Sequence, residues 1–375
     1  MHVVHIVRDL DCSSGGPSRS IPALALSMAH LEPAIRVSVL FQDRGQAVTV
    51  DVDDAGGVRF DAIPSAKRSS GLADALVRIH AEEAVSVVHL HGLWSPTVHG
   101  AARRARAIRV PYVVSPRGML SEACLNVKPL RKRVAWNLYQ QRDLRFAAVI
   151  HATSEAERDD CMRRGLTQAI EIVPNGCDLP PDSALPLPRA FPVGRGKPFA
   201  IALGRIDPVK GLDVLVEAWH QAAPLDWPLV IAGAGEWKYV QEVKHLIAVA
   251  GLSERVHLIG EVDEQQKWSM LAAAGFLVNA SRSENFGLAI AEALASGTPV
   301  VATQGTPWQI VQRERCGWWV EGTCAGIADA IRQATALADD QRNQMGQRGR
   351  LLVSTQFAWS SVAAKMLACY EQALR

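Results

Sequence analysis

At 375 residues the chain exceeds what one hydrophobic core usually serves, so two domains are expected. Hydrophobic residues at 48%, charged residues at 21% and a net charge of +2 describe an ordinary soluble composition, and that charge by itself excludes no partner. The seven cysteines are scattered, odd in number and without a CxxC pair, which argues against a disulfide framework or a zinc site and fits a reducing cytosol.

The first residues, MHVVHIV, read as a strand, because a signal peptide would need a basic start and a longer apolar stretch. No apolar run approaches the length that crosses a bilayer, so the protein is expected to be soluble or peripheral on a membrane. Short β-rich runs at 3–7, 37–41, 85–90, 112–115, 148–151 and 170–173 alternate with helical patterns at 17–30, 70–83, 95–108, 128–145 and 154–164. The second half repeats the scheme, with runs at 199–203, 229–232, 256–259, 276–279, 299–302 and 318–320. Its helices are expected at 210–223, 236–250, 263–273, 287–296 and 323–337. Such alternation makes parallel sheets covered on both faces, and two sets make two doubly wound domains. The stretch 178–196 is rich in proline and poor in pattern, so it reads as the linker. Ligands of doubly wound sheets bind at the carboxyl ends of strands, and two such domains facing each other make a cleft there.

The loops after strands therefore carry the candidates. In 9–20, DLDCSSGGPSRS, Gly15-Gly16 precede a helix, which suits phosphate or close substrate approach, or simply a tight turn. His89 and His91 fall on one side of a strand, but a metal needs a third ligand and none is near in the chain. Arg117, between Pro116 and Gly118, suits an anion or acceptor contact, or a surface position. Residues 100–150 carry Arg103, Arg104, Arg106, Arg109, Arg117, Lys128, Arg131, Lys132, Arg133, Arg142 and Arg145 against only Glu122 and Asp143, with Trp136, Leu138 and Tyr139 interleaved. That pattern suits an anionic membrane surface, and a solvated helix face gives the same charges. Asp51-Val-Asp53-Asp54 resembles a metal-binding DxD but lies in a polar loop before Gly56-Gly57, and is set aside.

In the second half, Arg205 and Lys210 of GRIDPVKG can converge on one anion, or stand as solvated cations. Gly233-x-Gly235 lacks the third glycine of a dinucleotide fingerprint. SENFGLAIAE, 283–292, combines Glu284, Phe286-Gly287 and Glu292 with a helix that stops at Gly297. A helix starting near Phe286 presents free N–H groups to an anion. At about 1.5 Å rise per residue the two carboxylates lie roughly 10–12 Å apart, too far for a retaining glycosidase pair. That spacing suits two polyol parts of one ligand with phosphate between them, and an amphipathic helix with two solvated acids fits as well.

Taken in order, Gly204-Arg205…Lys210-Gly211, Gly233-x-Gly235, Gly260-Glu261 and Glu284-Asn-Phe-Gly287…Glu292-Ala-Leu-Ala-Ser-Gly297-Thr-Pro resemble the retaining glycosyltransferases of family 4, with the GT-B fold. Val173-Pro-Asn-Gly-Cys-Asp178 and Phe357-Ala-Trp359 add to the likeness, and HGLW and SPRGML resemble bacterial exopolysaccharide, capsule and O-antigen members. The resemblance implies an acceptor-side Rossmann-like domain over 1–178, a linker over 179–196 and a donor-binding Rossmann-like domain over 197–357. A final helix over 358–375 crosses back to the first domain. Arg205 and Lys210 should bind the donor diphosphate, and Glu284 should hold donor-sugar hydroxyls. Backbone amides of Phe286, Gly287 and Leu288 should meet sugar and phosphates, and Glu292 the ribose. Gly16 should admit the N-terminal loop to the donor, Gly233 counts among the donor-binding residues, and Glu261-Val262 should meet the base. Many relatives place a histidine where this chain has Arg117, so its role falls to Arg117, His89 or His91. No metal or other cofactor is implied. The expected partners are a UDP- or GDP-sugar and a glycan or polyprenyl-diphosphate-linked acceptor, with no nucleic acid. The expected place is the cytoplasm or the inner face of its membrane. A sugar phosphorylase or nucleotide-sugar epimerase on the same architecture is the alternative.

Overall fold

The structure is a computed structural model and describes residues 1–11, 16–45, 56–64, 71–181, 186–188, 191–194 and 196–375. The DxD-like stretch at 51–54 and the glycine-rich residues up to Gly15 lie outside them. The chain forms two compact units, Met1–Gly176 with Trp359–Arg375, and Cys177–Ala358.

In the first unit, seven parallel strands stand in the order β3-β2-β1-β4-β5-β6-β7. They are β1 (His2–Ile6), β2 (Arg36–Asp43), β3 (Val58–Pro64), β4 (Val87–His91), β5 (Tyr112–Ser115), β6 (Val149–Ala152) and β7 (Ala169–Ile172). Val4, Ile6, Val88, Leu90, Val114 and Ile150 face helices Gly71–Glu82 and Pro96–Ala107. Val3, Val87, Val113 and Val149 face helices Gly16–Leu31 and Trp359–Ala373. Burial on both faces is what makes these strands read as continuous apolar runs. β3 escaped that pattern: it is the edge strand, its burial alternates, and Arg59 pairs with Asp61 at 2.9 Å on its outer side. The last helix belongs to this unit through Val362, Ala363, Met366 and Tyr370, and a Cβ at Gly176 would lie 2.2 Å from the Trp359 ring.

In the second unit, six parallel strands stand in the order β10-β9-β8-β11-β12-β13. They are β8 (Ala200–Leu203), β9 (Leu229–Ala232), β10 (Val256–Gly260), β11 (Phe276–Asn279), β12 (Val300–Thr303) and β13 (Gly317–Val320). The order reverses between β8 and β11, so loops leaving these neighbours part company above their carboxyl ends and open a crevice there. From the segment read as linker, Leu187, Phe191 and Val193 pack on this unit's core, with the Phe191 ring 5.0 Å from Phe199. The helix Asp339–Gln356 shows no apolar stripe, because it packs through glycines: a Cβ on Gly346 would lie 1.8 Å from the Gly297 carbonyl oxygen.

Candidate functional site

Above β8 and β11 the second unit gathers three of the expected residues. Asp207 caps the short turn Pro208–Lys210 by accepting from the Val209 N–H at 3.0 Å, and the left-handed Gly211 then starts helix Leu212–Ala222. A Cβ on Gly211 would lie 2.3 Å from the Ala280 carbonyl oxygen, so this turn sits directly against the end of β11. Lys210 is thereby aimed at Glu284, and the two form an ion pair. The same Glu284 oxygen accepts from Ser281 Oγ at 3.0 Å, while the Glu284 N–H donates to the Gly305 carbonyl at 2.8 Å. Gly204, the exposed Arg205, Lys210, Asn279 and Ser281 line one pocket here. Arg205 and Lys210 therefore share this pocket at the switch point, and Lys210 holds Glu284.

Phe286 contributes backbone only. Its ring is buried 5.5 Å from Trp308 and 6.0 Å from Phe357, and its carbonyl accepts from the Trp308 indole N–H. Gly287, at φ +82°, then turns the chain into helix Leu288–Ala295, whose first amides have no carbonyl within the helix. This start is two residues after Phe286, and Glu284 stands just outside the helix, in the preceding loop, as expected.

Glu292 is buried, and its partner was not foreseen: Lys267, of helix Glu264–Ala273, approaches its carboxylate at 2.6 Å. Lys267 also meets Glu264 at 2.6 Å and lies 4.7 Å from the Trp268 ring centroid. Burial alone would lower the ammonium's pKa, but Glu292 and Glu264 outweigh it and raise it. Glu261 is exposed and Val262 half-buried just beyond β10. Gly233 has a reason of its own: at φ +149° its Cβ would lie 1.9 Å from the Gly204 carbonyl oxygen. Gly235 likewise sits against Ile206, so this glycine pair lets the loops after β8 and β9 close on each other.

The first unit holds a second group of residues, at the carboxyl ends of its own strands. Gly16 opens helix Gly16–Leu31 and is exposed, with open space where a Cβ would be. Arg117 has left-handed backbone, φ +57°, held by Glu157, which accepts from the Gly118 N–H at 2.5 Å and from Thr153 N–H and Oγ at 2.7 Å each. Its guanidinium is buried. One nitrogen donates to Asn175 Oδ1 at 2.6 Å and another to His91 Nδ1 at 3.2 Å. Desolvation lowers its pKa to about 10, which leaves it cationic at neutral pH.

That contact fixes a chain of tautomers. Guanidinium only donates, so His91 Nδ1 accepts, and His91 Nε2–H donates to His5 Nδ1 at 3.0 Å. On the other side, His151 Nε2–H donates to the Val173 carbonyl at 2.7 Å, so its Nδ1 accepts from Ser115 Oγ at 2.6 Å. Ser115 then accepts from His89 Nε2–H at 2.7 Å, and His89 Nδ1 accepts from the Tyr370 hydroxyl at 2.7 Å. Burial, joined by the Arg117 charge, holds His5 and His151 near pKa 3, and His89 and His91 well below their usual value. His5 supplies the third imidazole that the sequence did not offer beside His89 and His91, their ligand nitrogens lying within 4.8 Å of one another. The hydrogen bonds and the neighbouring guanidinium hold the three rings neutral, with His5 Nε2 buried and without a hydrogen-bond partner among the described residues. Both nitrogens of His89 and of His91 are engaged, and the Arg117 guanidinium is likewise held, by Asn175 and His91.

Two family models match the chain: a glycosyl transferase 4-like domain over residues 15–176, and glycosyl transferases group 1 over 187–352. The lipopolysaccharide core biosynthesis mannosyltransferase LpsB of Rhizobium meliloti is 30% identical over 265 residues, covering 65% of this chain and 70% of that one. The chain belongs to the GT4-type, group 1 glycosyltransferases. A D-inositol 3-phosphate glycosyltransferase of Xylanimonas cellulosilytica is 32% identical to this GT4 chain, over 61% of it and 57% of the relative. A GDP-mannose:cellobiosyl-diphosphopolyprenol alpha-mannosyltransferase of Xanthomonas campestris is 25% identical over 100% of this chain and 97% of its own. The chain spans about half the length of the first curated relatives it matches, 57%, 42% and 48% of three of them. Among solved structures, HepE of Anabaena in complex with UDP superimposes with a TM-score of 0.78 at 19% identity, covering 99% of this chain and 100% of that one. That likeness shows the GT-B fold. These relatives are named as transferases, which does not favour the phosphorylase or epimerase alternative. In this GT4 member, Lys267, Asn175 and Glu157 are the site residues that sequence reasoning missed. Asn175 lay inside the Val173–Asp178 match, but nothing there showed that its amide would meet Arg117.

Proposed function

We propose that the protein is a retaining glycosyltransferase that moves a hexosyl unit from a nucleotide-diphosphate sugar to a glycan or polyprenyl-diphosphate-linked acceptor, in bacterial surface polysaccharide synthesis. The observation that carries this reading is that Arg205 and Lys210 line one pocket at the β8/β11 switch point, with Glu284 paired to Lys210 a few residues ahead of the start of helix Leu288–Ala295. The two cations and the helix start neutralise a diphosphate, and Glu284 accepts from sugar hydroxyls. Glu292, tied to Lys267, lies further along that helix and serves the ribose; Gly16, Gly233, Glu261 and Val262 are further donor contacts.

In the transfer, the bond from the sugar's anomeric carbon to the diphosphate breaks as the acceptor oxygen bonds to that carbon on the same face. The acceptor proton passes to the departing phosphate oxygen. Arg205 and Lys210 stabilise the charge that develops there, and Arg117 contacts the sugar or acceptor. Relatives support the substrates: one is named for GDP-mannose and a diphosphopolyprenol acceptor, and HepE was solved with UDP. Among the described residues no helix is long and apolar enough to cross a membrane. Use of a nucleotide sugar and a lipid-linked acceptor places the protein, in this reading, in the cytoplasm or at the inner membrane face.

The test is transfer with a radiolabelled nucleotide-sugar panel and membrane lipid extract. Lys210→Ala and Glu284→Ala should each lower turnover by about 100-fold or more with the melting temperature kept. Either variant working at the wild-type rate would remove the assignment. Because two cations and a helix start supply the charge, EDTA should leave the rate unchanged, and a rate that collapses with EDTA and returns with a divalent ion contradicts this.

A further inference from the structure

The second unit carries another cavity, of about 440 Å³, lined from helix Cys324–Ala336, helix Asp339–Gln356 and the turn into β13. The pocket of Arg205 and Lys210 lies at Leu203 and Asn279, the last residues of β8 and β11. This cavity sits at the opposite end of the same parallel sheet. Gly317 and Trp318, which line it, are the first residues of β13, and Gly317 pairs with Val300, the first residue of β12. A volume of that order is ordinary for a small-molecule site and exceeds what a lone inorganic anion fills.

The charged lining is purely cationic. Arg315 and Arg348 are exposed, and among the described residues neither has an acidic partner. The Arg348 Nε–H donates to the Arg315 carbonyl at 2.8 Å, which ties its head to the Arg315 backbone and leaves its terminal nitrogens to donate elsewhere. Gln333 Oε1 accepts from the Trp318 indole N–H at 2.9 Å, so its amide nitrogen is the end left to donate. No acid is among the lining residues; Glu314 and Asp339, close by in the chain, are held by Arg313 at 3.1 Å and by Arg342. Arg342 also donates to the Leu337 carbonyl, which takes up an acceptor at the end of helix Cys324–Ala336 that would otherwise repel an anion. Trp318, Leu337 and Met345, all half-buried, supply the apolar wall.

The backbone of Arg315 is a second, independent sign. After the short helix Ile310–Arg313, the Arg315 N–H donates to the Gln312 carbonyl at 3.2 Å and the Cys316 N–H to the Val311 carbonyl at 2.9 Å. These bonds close a turn whose left-handed position usually takes glycine, and Arg315 occupies it at φ +52°. Folding alone favours glycine there, so the arginine is present for what its side chain does.

We propose that this cavity is a second ligand site for a small organic phosphate, its phosphate held by the Arg315 and Arg348 forks and its ring-bearing body lying against Trp318, Leu337 and Met345. The proposal stands apart from the transfer reaction and does not depend on it.

The experiment is calorimetric titration of the full chain carrying Lys210→Ala, which weakens phosphate binding at the other pocket. The probes are adenosine monophosphate, uridine monophosphate and glucose 1-phosphate, with adenosine and inorganic phosphate as controls. At least one of the three organic phosphates should bind about tenfold or more tightly than either control, and preference for a nucleotide or for the sugar phosphate identifies the body. Adding Arg315→Gly should weaken that binding by about tenfold or more while the melting temperature holds or rises, because glycine relaxes the turn. Adding Arg348→Gln should weaken it by a similar factor. No binding by any of the three phosphates overturns the proposal. So does binding that both arginine variants leave unchanged, or an affinity that inorganic phosphate equals.

Discussion

Lys267 brings a buried cation into a part of the site that the sequence read only as acidic. It faces Glu292 at 2.6 Å with both side chains nearly out of solvent, so removing either partner alone strands the other charge. Lys267→Met should therefore cost about 3–5 kcal/mol, visible as a lower denaturation midpoint. The double variant Lys267→Met with Glu292→Leu should recover much of that stability while losing donor affinity, because the carboxylate read as serving the ribose is gone. A single variant as stable as the wild type would contradict the buried pair. This is also where the sequence was hardest to read. Lys210 and Glu284 were legible because each sits in a loop with punctuating glycines. Lys267 is one lysine in an ordinary helix, and only the fold brings it across the 25 residues that separate it from Glu292. His89 and His91 were legible as sharing a face, but Ser115, His151, His5 and Tyr370 join them through strand pairing and helix packing, with 281 residues between His89 and Tyr370.

Among the elements, the glycine turns make two opposite predictions. Gly233→Ala puts a methyl where the Gly204 carbonyl already is, at a backbone angle that side chains resist. It should cost about 2 kcal/mol or more, read as a lower midpoint in urea. Gly16→Ala meets open space, so stability should stay within about 0.5 kcal/mol. If Gly16 admits the donor as proposed, the KM for the nucleotide sugar should still rise; an unchanged KM removes Gly16 from the site. Strand and helix alternation was readable because buried parallel strands are continuous apolar runs. β3 was not, since an edge strand needs only one apolar face and spends the other on Arg59 and Asp61. Helix Asp339–Gln356 was not either, because close approach of the Gly297 backbone at Gly346 and of the Leu294 side chain at Gly349 replaces an apolar stripe.

At the scale of the whole molecule, four buried imidazoles couple stability to pH. His5 and His151 titrate near 3 when folded, and His89 and His91 well below their usual value, whereas in the unfolded chain each titrates near 6.5. The folded pKa is depressed, so below 6.5 the unfolded chain binds more protons and stability falls with falling pH. Each histidine contributes up to about 1.4 kcal/mol per pH unit in that window, and four together up to about 5.6 kcal/mol per pH unit. The melting temperature should be nearly flat above pH 7 and fall steeply below about pH 6. A flat curve down to pH 5 would mean that the imidazoles are not held neutral. The measurement that bears most directly on the central claim is calorimetric titration of UDP- and GDP-sugars into the wild type and Lys210→Ala. One nucleotide sugar should bind the wild type and bind the variant about 10-fold to 100-fold more weakly, as expected for a lost charge-assisted contact to a diphosphate. No binding by either class of sugar, or equal affinity in both proteins, would contradict the account.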